Sequence, residues 1–400
     1  MVMSNMVILL KRILKRIICW VRYKGNERGF EAIYKKISSD SPSLSSVKDK
    51  DKKFRAWTDK WSVFGVKPSK RGYKVFSRFI KGDEMIDYVP EAISRSFIEP
   101  VLTPEEFSPF YSDKNSFDLL LPDGYLPKTF LRSIDGKLMD GKYRAIRLHE
   151  WEFSGFLHEK AVDEVAVKPS RGTWGKGFAL FRWKNGSWIN SGGDVLTLPY
   201  LWQHYGKNWM IQECLHQCDF MAQFNSTSVN TIRIACYRSV RTGELVTLNA
   251  VMRMGGKGAV VDNVSAGGMF VEIKDDGTLG KKVFNNYGKE SAVHNGIDFS
   301  ANEFKIPHYE RVKEFVISIA MRMPHMSLFA NDVMIDENGT PRLVEVNTQG
   351  FLVRFYHFCS HPAFGKYTDE IIEFCKEEYK TLNSRMTLLL PTDKISDISA

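Results

Sequence analysis

The chain contains few cysteines, and none of them stands in a pattern that builds a metal site or a disulfide framework. Only six of the 400 residues are cysteine. No two of them form a C-x-x-C pair, and His216 is the only histidine near any of them. Structural zinc sites and disulfide-stapled domains need such residues at close, regular spacing. We therefore expect a reduced, cytoplasmic protein without a zinc site.

The sequence also lacks the run of about 20 apolar residues that a membrane-spanning helix requires. A secretory signal would place basic residues ahead of an unbroken apolar run, whereas residues 1–24 intersperse the two kinds. Apolar side chains recur there at the i, i+3, i+4, i+7 spacing that lines one face of a helix; they are Leu10, Ile13, Leu14, Ile17, Ile18 and Val21. We predict a basic amphipathic helix over 1–24, which either lies on an anionic membrane surface or packs on the protein's own body.

Acidic residues are absent from this first segment, although the whole chain carries 47 of them against 56 basic residues. The basic residues of the segment are Lys11, Arg12, Lys15, Arg16, Arg22 and Lys24. They supply six of the nine net positive charges of the chain, so the remainder is nearly balanced. Outside the segment, basic residues form no stripe interleaved with aromatics, as a nucleic-acid groove would. We expect no nucleic-acid partner.

A chain of 400 residues with 43% hydrophobic content is long enough for two or three lobes. The stretch "SSDSPSLSSVKDKDKK", residues 38–53, has the composition of a linker. The expected order is the helix over 1–24, a linker over 25–53, an N-terminal region over 54–125, two lobes over 126–212 and 213–385, and a tail over 386–400. We find no internal repeat.

The first chemical motif is a glycine loop behind a lysine. "VAVKP" is typical of a buried strand ending near Lys168, and Gly172, Gly175 and Gly177 then form G-x-x-G-x-G. Glycines let backbone N–H groups close over phosphate oxygens, and the lysine adds a positive charge. The spacing excludes a P-loop and a dinucleotide fingerprint, since the following "FALFRW" indicates another strand. The alternative is an ordinary turn between two strands.

A second motif is the predicted hairpin "LFANDVMIDENGTPRLVEVN", residues 328–347. If the turn centres near Gly339, Asp332 lies opposite Val346, between Glu345 and Asn347. Two carboxylates and an amide oxygen are ligands that Mg²⁺ takes alongside substrate phosphates. Acids on such an apolar hairpin are costly unless something compensates them. We predict a metal site there; the alternative is a solvated polar face.

A third motif is a hairpin that turns near Gly243 and carries Arg233 and Arg253 at equal distances from the turn. That symmetry predicts that the two side chains lie side by side. Adjacent guanidinium groups repel unless an anion lies between them, and their forked geometry suits phosphate or carboxylate. The pair is therefore a candidate clamp on a phosphoryl group; the alternative is two separate surface arginines.

In this order, these motifs resemble the ATP-grasp superfamily, and within it the sugar-transfer-associated group found with bacterial surface-polysaccharide genes. The stretches that carry the resemblance are "YVPEAISRSFIEPVLTP", "SDKN", "SVNTIRI", "VMRMGGKGAVVDNVSAGG" and "LVEVN", and it extends from about Val63 to Glu378. The resemblance implies an α+β fold in which two α+β lobes grip ATP, beside an N-terminal helical and α/β region. It implies that Lys114 and Lys168 bind phosphates and that residues 172–177 form a lid over them.

The resemblance also assigns the rest of the site. The segment Gln212, Glu213, Cys214 and Leu215 would bond the adenine edge, and Glu213 or Asp219 the ribose. Asp332, Glu345 and Asn347 would hold two Mg²⁺ ions. Many members have an arginine two residues before the metal aspartate, but this chain has Ala330, so Arg233 or Arg253 would stabilise the transferred phosphoryl group. Asp262 and Asn263 would contact the substrate.

The function that the resemblance implies is an ATP-dependent carboxylate–amine ligase. Such an enzyme forms an amide through an acyl phosphate, here in the synthesis or modification of surface polysaccharide. Its partners would be ATP, a carboxylate, an amine and, through residues 1–24, an anionic membrane surface. The alternatives are an ATP-grasp kinase acting on a hydroxyl and an inactive ATP-grasp protein that binds membranes. We expect the protein in the cytoplasm, with the inner face of the cytoplasmic membrane as its peripheral site.

Overall fold

The computed structural model describes residues 2–40, 52–80, 82–160, 163–172, 176–259, 264, 267–351 and 353–380, with side chains of the first helix described for residues 13, 14 and 17–39. The candidate residues Gly175, Asp262 and Asn263 lie outside the described part, as do residues 41–51 and the predicted tail.

Helices concentrate at the two ends of the chain, and many of them are short. The α-helices are α1 (Val2–Asp40), α2 (Lys52–Trp61), α3 (Lys70–Phe76), α4 (Glu91–Ile93), α5 (Glu99–Leu102), α6 (Ser108–Tyr111), α7 (Phe117–Leu120), α8 (Glu150–His158), α9 (Leu198–Tyr205), α10 (Asp219–Ala222), α11 (Tyr309–Met321), α12 (Arg354–Phe358) and α13 (Thr368–Glu378). A π-helical turn, Ser94–Ile98, joins α4 to α5. Short 3₁₀ turns occupy Ser62–Phe64, Gly82–Asp87, Lys114–Ser116 and Gly365–Tyr367.

Strands fill the middle of the chain and form antiparallel sheets. They are β1 (Thr129–Ile134), β2 (Lys137–Asp140), β3 (Glu164–Pro169), β4 (Ala179–Lys184), β5 (Ser187–Asn190), β6 (Trp209–Glu213), β7 (Thr231–Arg238), β8 (Leu245–Met254), β9 (Met269–Ile273), β10 (Leu279–Phe284), β11 (Glu290–Ser291), β12 (Val293–His294), β13 (Ile297–Asp298), β14 (Leu328–Ile335) and β15 (Pro341–Asn347). This mixture of helices and antiparallel sheets is the predicted α+β class.

The smaller sheet has the strand order β2-β1-β6-β3-β4-β5. Along β3, Val165 and Val167 are fully buried in a core that includes Leu157 of α8 and Leu201 of α9. Because side chains alternate along a strand, Ala166 and its neighbours at even positions face the opposite side. The apolar positions thus anchor β3 to the helices and leave its polar positions to the other face of the sheet.

The larger sheet has the order β11-β10-β9-β8-β7-β14-β15 and is covered on both faces. On β7, Ile232 and Ile234 pack into a core shared with α11, whereas Ala235 and Tyr237 pack into a second core with α12, α13 and the N-terminal region. Cys236 lies in the first core with Ile232 and Ile234, so the two cores are contacted by alternate residues along β7. The central strands β7 and β14 are therefore buried almost throughout.

The first helix continues to Asp40, which corrects the prediction that it ends at residue 24 and gives way to a linker. The physical reason is a second buried face: Ile33, Tyr34 and Ile37 lie in the same core as α12 and α13. The Tyr34 hydroxyl donates to the buried Glu91 carboxylate at 2.8 Å. The second half of α1 is therefore part of the folded body. Among the described residues, no helix is long and apolar enough to cross a bilayer.

Candidate active site

A cavity of 420 Å³ lies where β3, β4 and β6 of the smaller sheet face β7, β8, β14 and β15 of the larger one. Twelve of the residues proposed from the sequence line it; they are Lys114, Lys168, Gly172, Gln212, Glu213, Cys214, Leu215, Arg233, Arg253, Asp332, Glu345 and Asn347. Gly177 closes the β3–β4 loop beside Pro169. Asp219 is exposed at the start of α10 and does not line the cavity, so of the two ribose candidates only Glu213 does.

The carboxylates of the β14–β15 hairpin meet in a different register from the predicted one. Asp332 pairs with Glu345, and Val346 pairs with Asn331. The turn is centred earlier than Gly339, and a bulge after Asp332 leaves Val344 as an extra residue on β15. The predicted position of Asp332 between Glu345 and Asn347 is therefore wrong, but all three side chains line the cavity.

The two arginines are likewise displaced from the predicted pairing. Arg253 pairs with Thr231, and Arg233 pairs with Val251, because the hairpin turns before Gly243. A bulge whose extra residue lies on β8 offsets only part of that shift. They nevertheless converge: Arg233 holds both oxygens of Asp332 at 2.7 Å, and Arg253 Nη1 donates to Asp332 Oδ2 at 2.8 Å. The anion expected between the arginines is thus a carboxylate of the chain itself.

This triad is almost fully buried, and its charges compensate one another. Burial would raise the pKa of Asp332, but the two guanidinium groups outweigh that effect and lower it. Burial would likewise lower the pKa of Arg233, but the Asp332 carboxylate raises it. Bidentate pairing of this kind is the strong form of the ion pair. The site therefore presents Asp332 ionised and both arginines charged and fixed in position.

Two lysines line the same cavity as this triad. Lys114 Nζ donates to Glu345 at 3.1 Å and to the Gly172 carbonyl at 3.2 Å, so it connects the carboxylate hairpin to the glycine loop. The Lys114 backbone N–H donates to the Ser170 carbonyl at 2.9 Å. Lys168 projects from β3 into the same cavity. Burial, followed by repulsion from Lys114, lowers the pKa of Lys168 to about 8. Such a pair of amines attracts polyanions.

A family model described as sugar-transfer associated ATP-grasp matches residues 102–358, which is more than half of the chain. The chain belongs to the sugar-transfer associated ATP-grasp family. The family and the ATP-grasp fold expected from the sequence are thereby confirmed. A search of curated protein sequences finds no significant match.

Solved structures with a similar fold include three ligases or synthetases. They are the D-alanine–D-alanine ligase of Coxiella burnetii (10% identity, 68% of this chain and 60% of that one, TM-score 0.38), a D-Ala:D-Ser ligase of Enterococcus faecalis (11%, 68% and 62%, 0.36) and a D-cycloserine synthetase (11%, 70% and 73%, 0.38). The chain thus covers less than two thirds of the first two proteins. At these identities and scores the similarities carry no conclusion about reaction or substrate.

The cavity of this ATP-grasp protein also has apolar lining residues, among them Ala166, Leu180, Met334 and Val344. Apolar walls with a few polar groups are typical of small-molecule sites. Gln212 lines the cavity too, and its Oε1 is buried without a hydrogen-bond partner among the described residues.

Several further polar residues of the cavity escaped the sequence analysis, among them Glu164, Arg182 and His216. Glu164 lies 3.0 Å from His216 Nε2 and accepts from Arg182 at 3.3 Å, and all three residues line the cavity. The alternation of β3 could have found Glu164, since it stands two and four residues before Ala166 and Lys168 on the same face. Burial, followed by Glu164, raises the pKa of the neighbouring Cys214 thiol to about 12, so Cys214 is not a thiolate nucleophile.

The chemistry of the donor set fits magnesium. Within the described residues, no three His, Cys, Asp or Glu side chains cluster closely enough to hold a metal ion alone. Asp332, Glu345 and Asn347 nevertheless bring two carboxylates and an amide oxygen to one cavity. Mg²⁺ is usually bound by one or two carboxylates completed by substrate phosphates. These three residues are the ones that would hold it.

Proposed function

We propose that this ATP-grasp protein is an ATP-dependent ligase that joins a carboxylate to an amine in the synthesis of surface polysaccharide. The observation that carries the proposal is the convergence of Arg233 and Arg253 on Asp332, in the cavity that Lys114 and Lys168 also line. Fixed cations around a phosphate-sized space stabilise charge that develops during phosphoryl transfer. The polysaccharide setting is supported by the family, which is sugar-transfer associated.

The proposed reaction has two steps. A carboxylate oxygen attacks the γ-phosphorus of ATP, the bond between that phosphorus and the β–γ bridging oxygen breaks, and ADP leaves. An amine then attacks the acyl carbon of the acyl phosphate, so that a C–N bond forms, inorganic phosphate leaves and the amine loses a proton to solvent. Magnesium, when bound, would neutralise charge on the phosphate oxygens.

The residues of the cavity divide these tasks. Lys114 and Lys168 would bind and align the phosphates, while Arg233 and Arg253 would face the transferred group. Asp332 holds the two guanidinium groups in place through three hydrogen bonds of 2.7–2.8 Å. Catalysis by positioning and fixed charge needs no side-chain nucleophile, in agreement with the protonated Cys214.

The test is ADP release by the purified protein with Mg²⁺, offered uronic acids, amino acids and amino sugars singly and in pairs. We expect ADP release to require one acid, and product to require an acid and an amine together. Hydroxylamine added instead of the amine should trap the acyl phosphate as a hydroxamate. A mock preparation from cells that carry the empty expression vector, purified in parallel, measures contaminating ATPase. ADP release with a hydroxyl compound that retains the phosphate would replace this proposal with a kinase.

A further inference from the structure

The outward side of helix α1 carries an apolar patch that the body of the protein leaves uncovered. Its members are 47–54% exposed, far more than core residues of their type; they are Ile13, Leu14, Ile17, Trp20 and Val21. They recur at i, i+1, i+4, i+7 and i+8, which places them on one face of the helix. We call this set the outer apolar face.

The opposite side of the same helix fixes α1 to the protein. Cys19 and Tyr23 are buried in the core, and the Tyr23 hydroxyl donates to the Lys67 carbonyl at 2.7 Å. Arg22 forms an ion pair with Glu105, and Asn26 donates to Ser96 at 2.9 Å. The outer apolar face therefore cannot turn inward without breaking these contacts. The sequence left two alternatives for this segment. The described residues of the outer apolar face do not pack on the protein's own body.

A group of positively charged side chains lies next to the outer apolar face. A shallow groove next to it shares Trp20 and is lined by Lys24, Arg28, Lys67 and Lys70 against Glu27 and Glu31. Arg28, Lys67 and Lys70 are exposed. The four cations and two acids give this groove a net charge of 4 − 2 = +2. Earlier in the helix the sequence adds Lys11, Arg12, Lys15 and Arg16, with no acid before residue 25.

We propose that the outer apolar face and the cationic groove beside it form a docking surface for an anionic lipid membrane. An interfacial helix buries Trp and aliphatic side chains at the headgroup boundary while Lys and Arg attract the anionic lipids. Trp20 lies where the apolar and cationic parts meet, which is the position that indole rings favour at such a boundary. This inference does not depend on the proposed reaction. It places the protein as a whole on a membrane surface.

The test is flotation of the full-length protein with vesicles of phosphatidylcholine, with and without phosphatidylglycerol. Wild type should float only with the anionic vesicles and should be released as salt is raised. Ile17→Glu should weaken this binding by at least about tenfold, since it removes buried apolar area and adds repulsion. The matched control is Met321→Glu, which puts the same charge on an exposed apolar residue at the end of α11, 64% exposed; it should bind as wild type does.

A second measurement uses tryptophan fluorescence. Brominated lipids quench indoles that enter a bilayer, and loss of most of that quenching in Trp20→Phe would identify the inserted residue among the nine tryptophans. Arg28→Gln combined with Lys67→Gln should weaken anionic binding without changing quenching at saturation. The proposal is overturned if the wild-type protein does not bind anionic vesicles, or if Ile17→Glu and Met321→Glu bind them equally well. It is also overturned if the only effect of Ile17→Glu is to convert a dimer into a monomer, because the outer apolar face would then contact a second copy of the chain.

Discussion

At the scale of single residues, Asp332 is the carboxylate that holds the two arginines of the cavity in place. It stands opposite Arg233 across β7 and β14 and opposite Glu345 across β14 and β15. Two guanidinium groups reach it from neighbouring strands, and it is only 2% exposed. Two cations buried this close together would repel strongly without the carboxylate. Asp332 therefore has a structural role and is also one of the proposed metal ligands.

These roles can be separated by substituting Asp332 and Glu345 in parallel. Asp332→Asn leaves two buried guanidinium groups without their anion, so we expect it to lower the free energy of unfolding by roughly 3–5 kcal/mol. Glu345→Gln breaks only the pair with Lys114 nearer the cavity mouth, where Glu345 is 22% exposed, and should cost about 1 kcal/mol. Both should abolish Mg²⁺-dependent ATP turnover. Urea unfolding monitored by fluorescence measures the loss of stability in each variant, and ADP release measures the loss of ATP turnover.

The outcome that would contradict this account is equal stability of the two variants. It would mean that the arginines find other partners when the carboxylate is removed. Retained turnover in Glu345→Gln with a normal unfolding curve would instead remove Glu345 from the metal ligands while leaving the structural role of Asp332 intact.

At the scale of elements, the sequence predicted hairpins well and their registers poorly. Residue type and alternation were enough to predict that Asp332, Glu345 and Asn347 converge on one hairpin. Counting from Gly339 and Gly243 failed because each hairpin turns earlier than assumed, and the bulge in each hairpin offsets only part of the resulting shift. A bulge leaves no mark in a period-two pattern. The arginine side chains reach Asp332 in spite of the shift, because Arg233 lies directly opposite it on the adjacent strand.

The glycine loop between β3 and β4 offers a test at the same scale. Gly177 has φ 77° and a Cβ there would lie 3.1 Å from Pro169, whereas Gly186 on the next hairpin has φ 79° and open space around it. Alanine at either position should cost about 1–2 kcal/mol of stability through the left-handed backbone. If this loop covers the phosphates of ATP, as the sequence predicts, only Gly177→Ala should also displace it and raise the KM for ATP, by at least about tenfold.

Thermal melting and steady-state kinetics on the two glycine variants check this prediction. Gly186→Ala serves as the control for the backbone penalty, because it lies outside the cavity lining. If both variants keep the KM of wild type, the β3–β4 loop is an ordinary turn, as one sequence interpretation allowed.

At the scale of the whole molecule, the N-terminal region is tied into the ATP-grasp body. The core on one face of the larger sheet combines α1–α3 with α12 and α13. The Gly350 backbone N–H, just beyond β15, donates to Glu99 at 2.8 Å, and Thr348 contacts Ser108 at 2.7 Å. The N-terminal region therefore supports the loop that follows Asn347. The sequence did not indicate this, because contacts between residues hundreds of positions apart leave no local pattern.

This integration predicts that α1 cannot be removed as a dispensable tail. A chain starting at residue 41 loses five buried side chains of the core, namely Cys19, Tyr23, Ile33, Tyr34 and Ile37. At about 1.5–3 kcal/mol for each large apolar side chain, the loss is on the order of 10 kcal/mol, comparable to the whole net stability of a domain. It also removes the Tyr34 hydroxyl from the buried Glu91. We expect this chain to show no cooperative thermal transition.

A chain starting at residue 13 is the matched control, since it keeps all five of those side chains. Its melting temperature should equal that of the full-length protein, and calorimetry on both chains makes the comparison. If the chain starting at residue 41 melted cooperatively at the same temperature, the N-terminal helix would be an appendage, as a linker at residue 25 would imply. If that chain showed no cooperative transition, Ile33, Tyr34 and Ile37 would be shown to stabilise the core in which they lie.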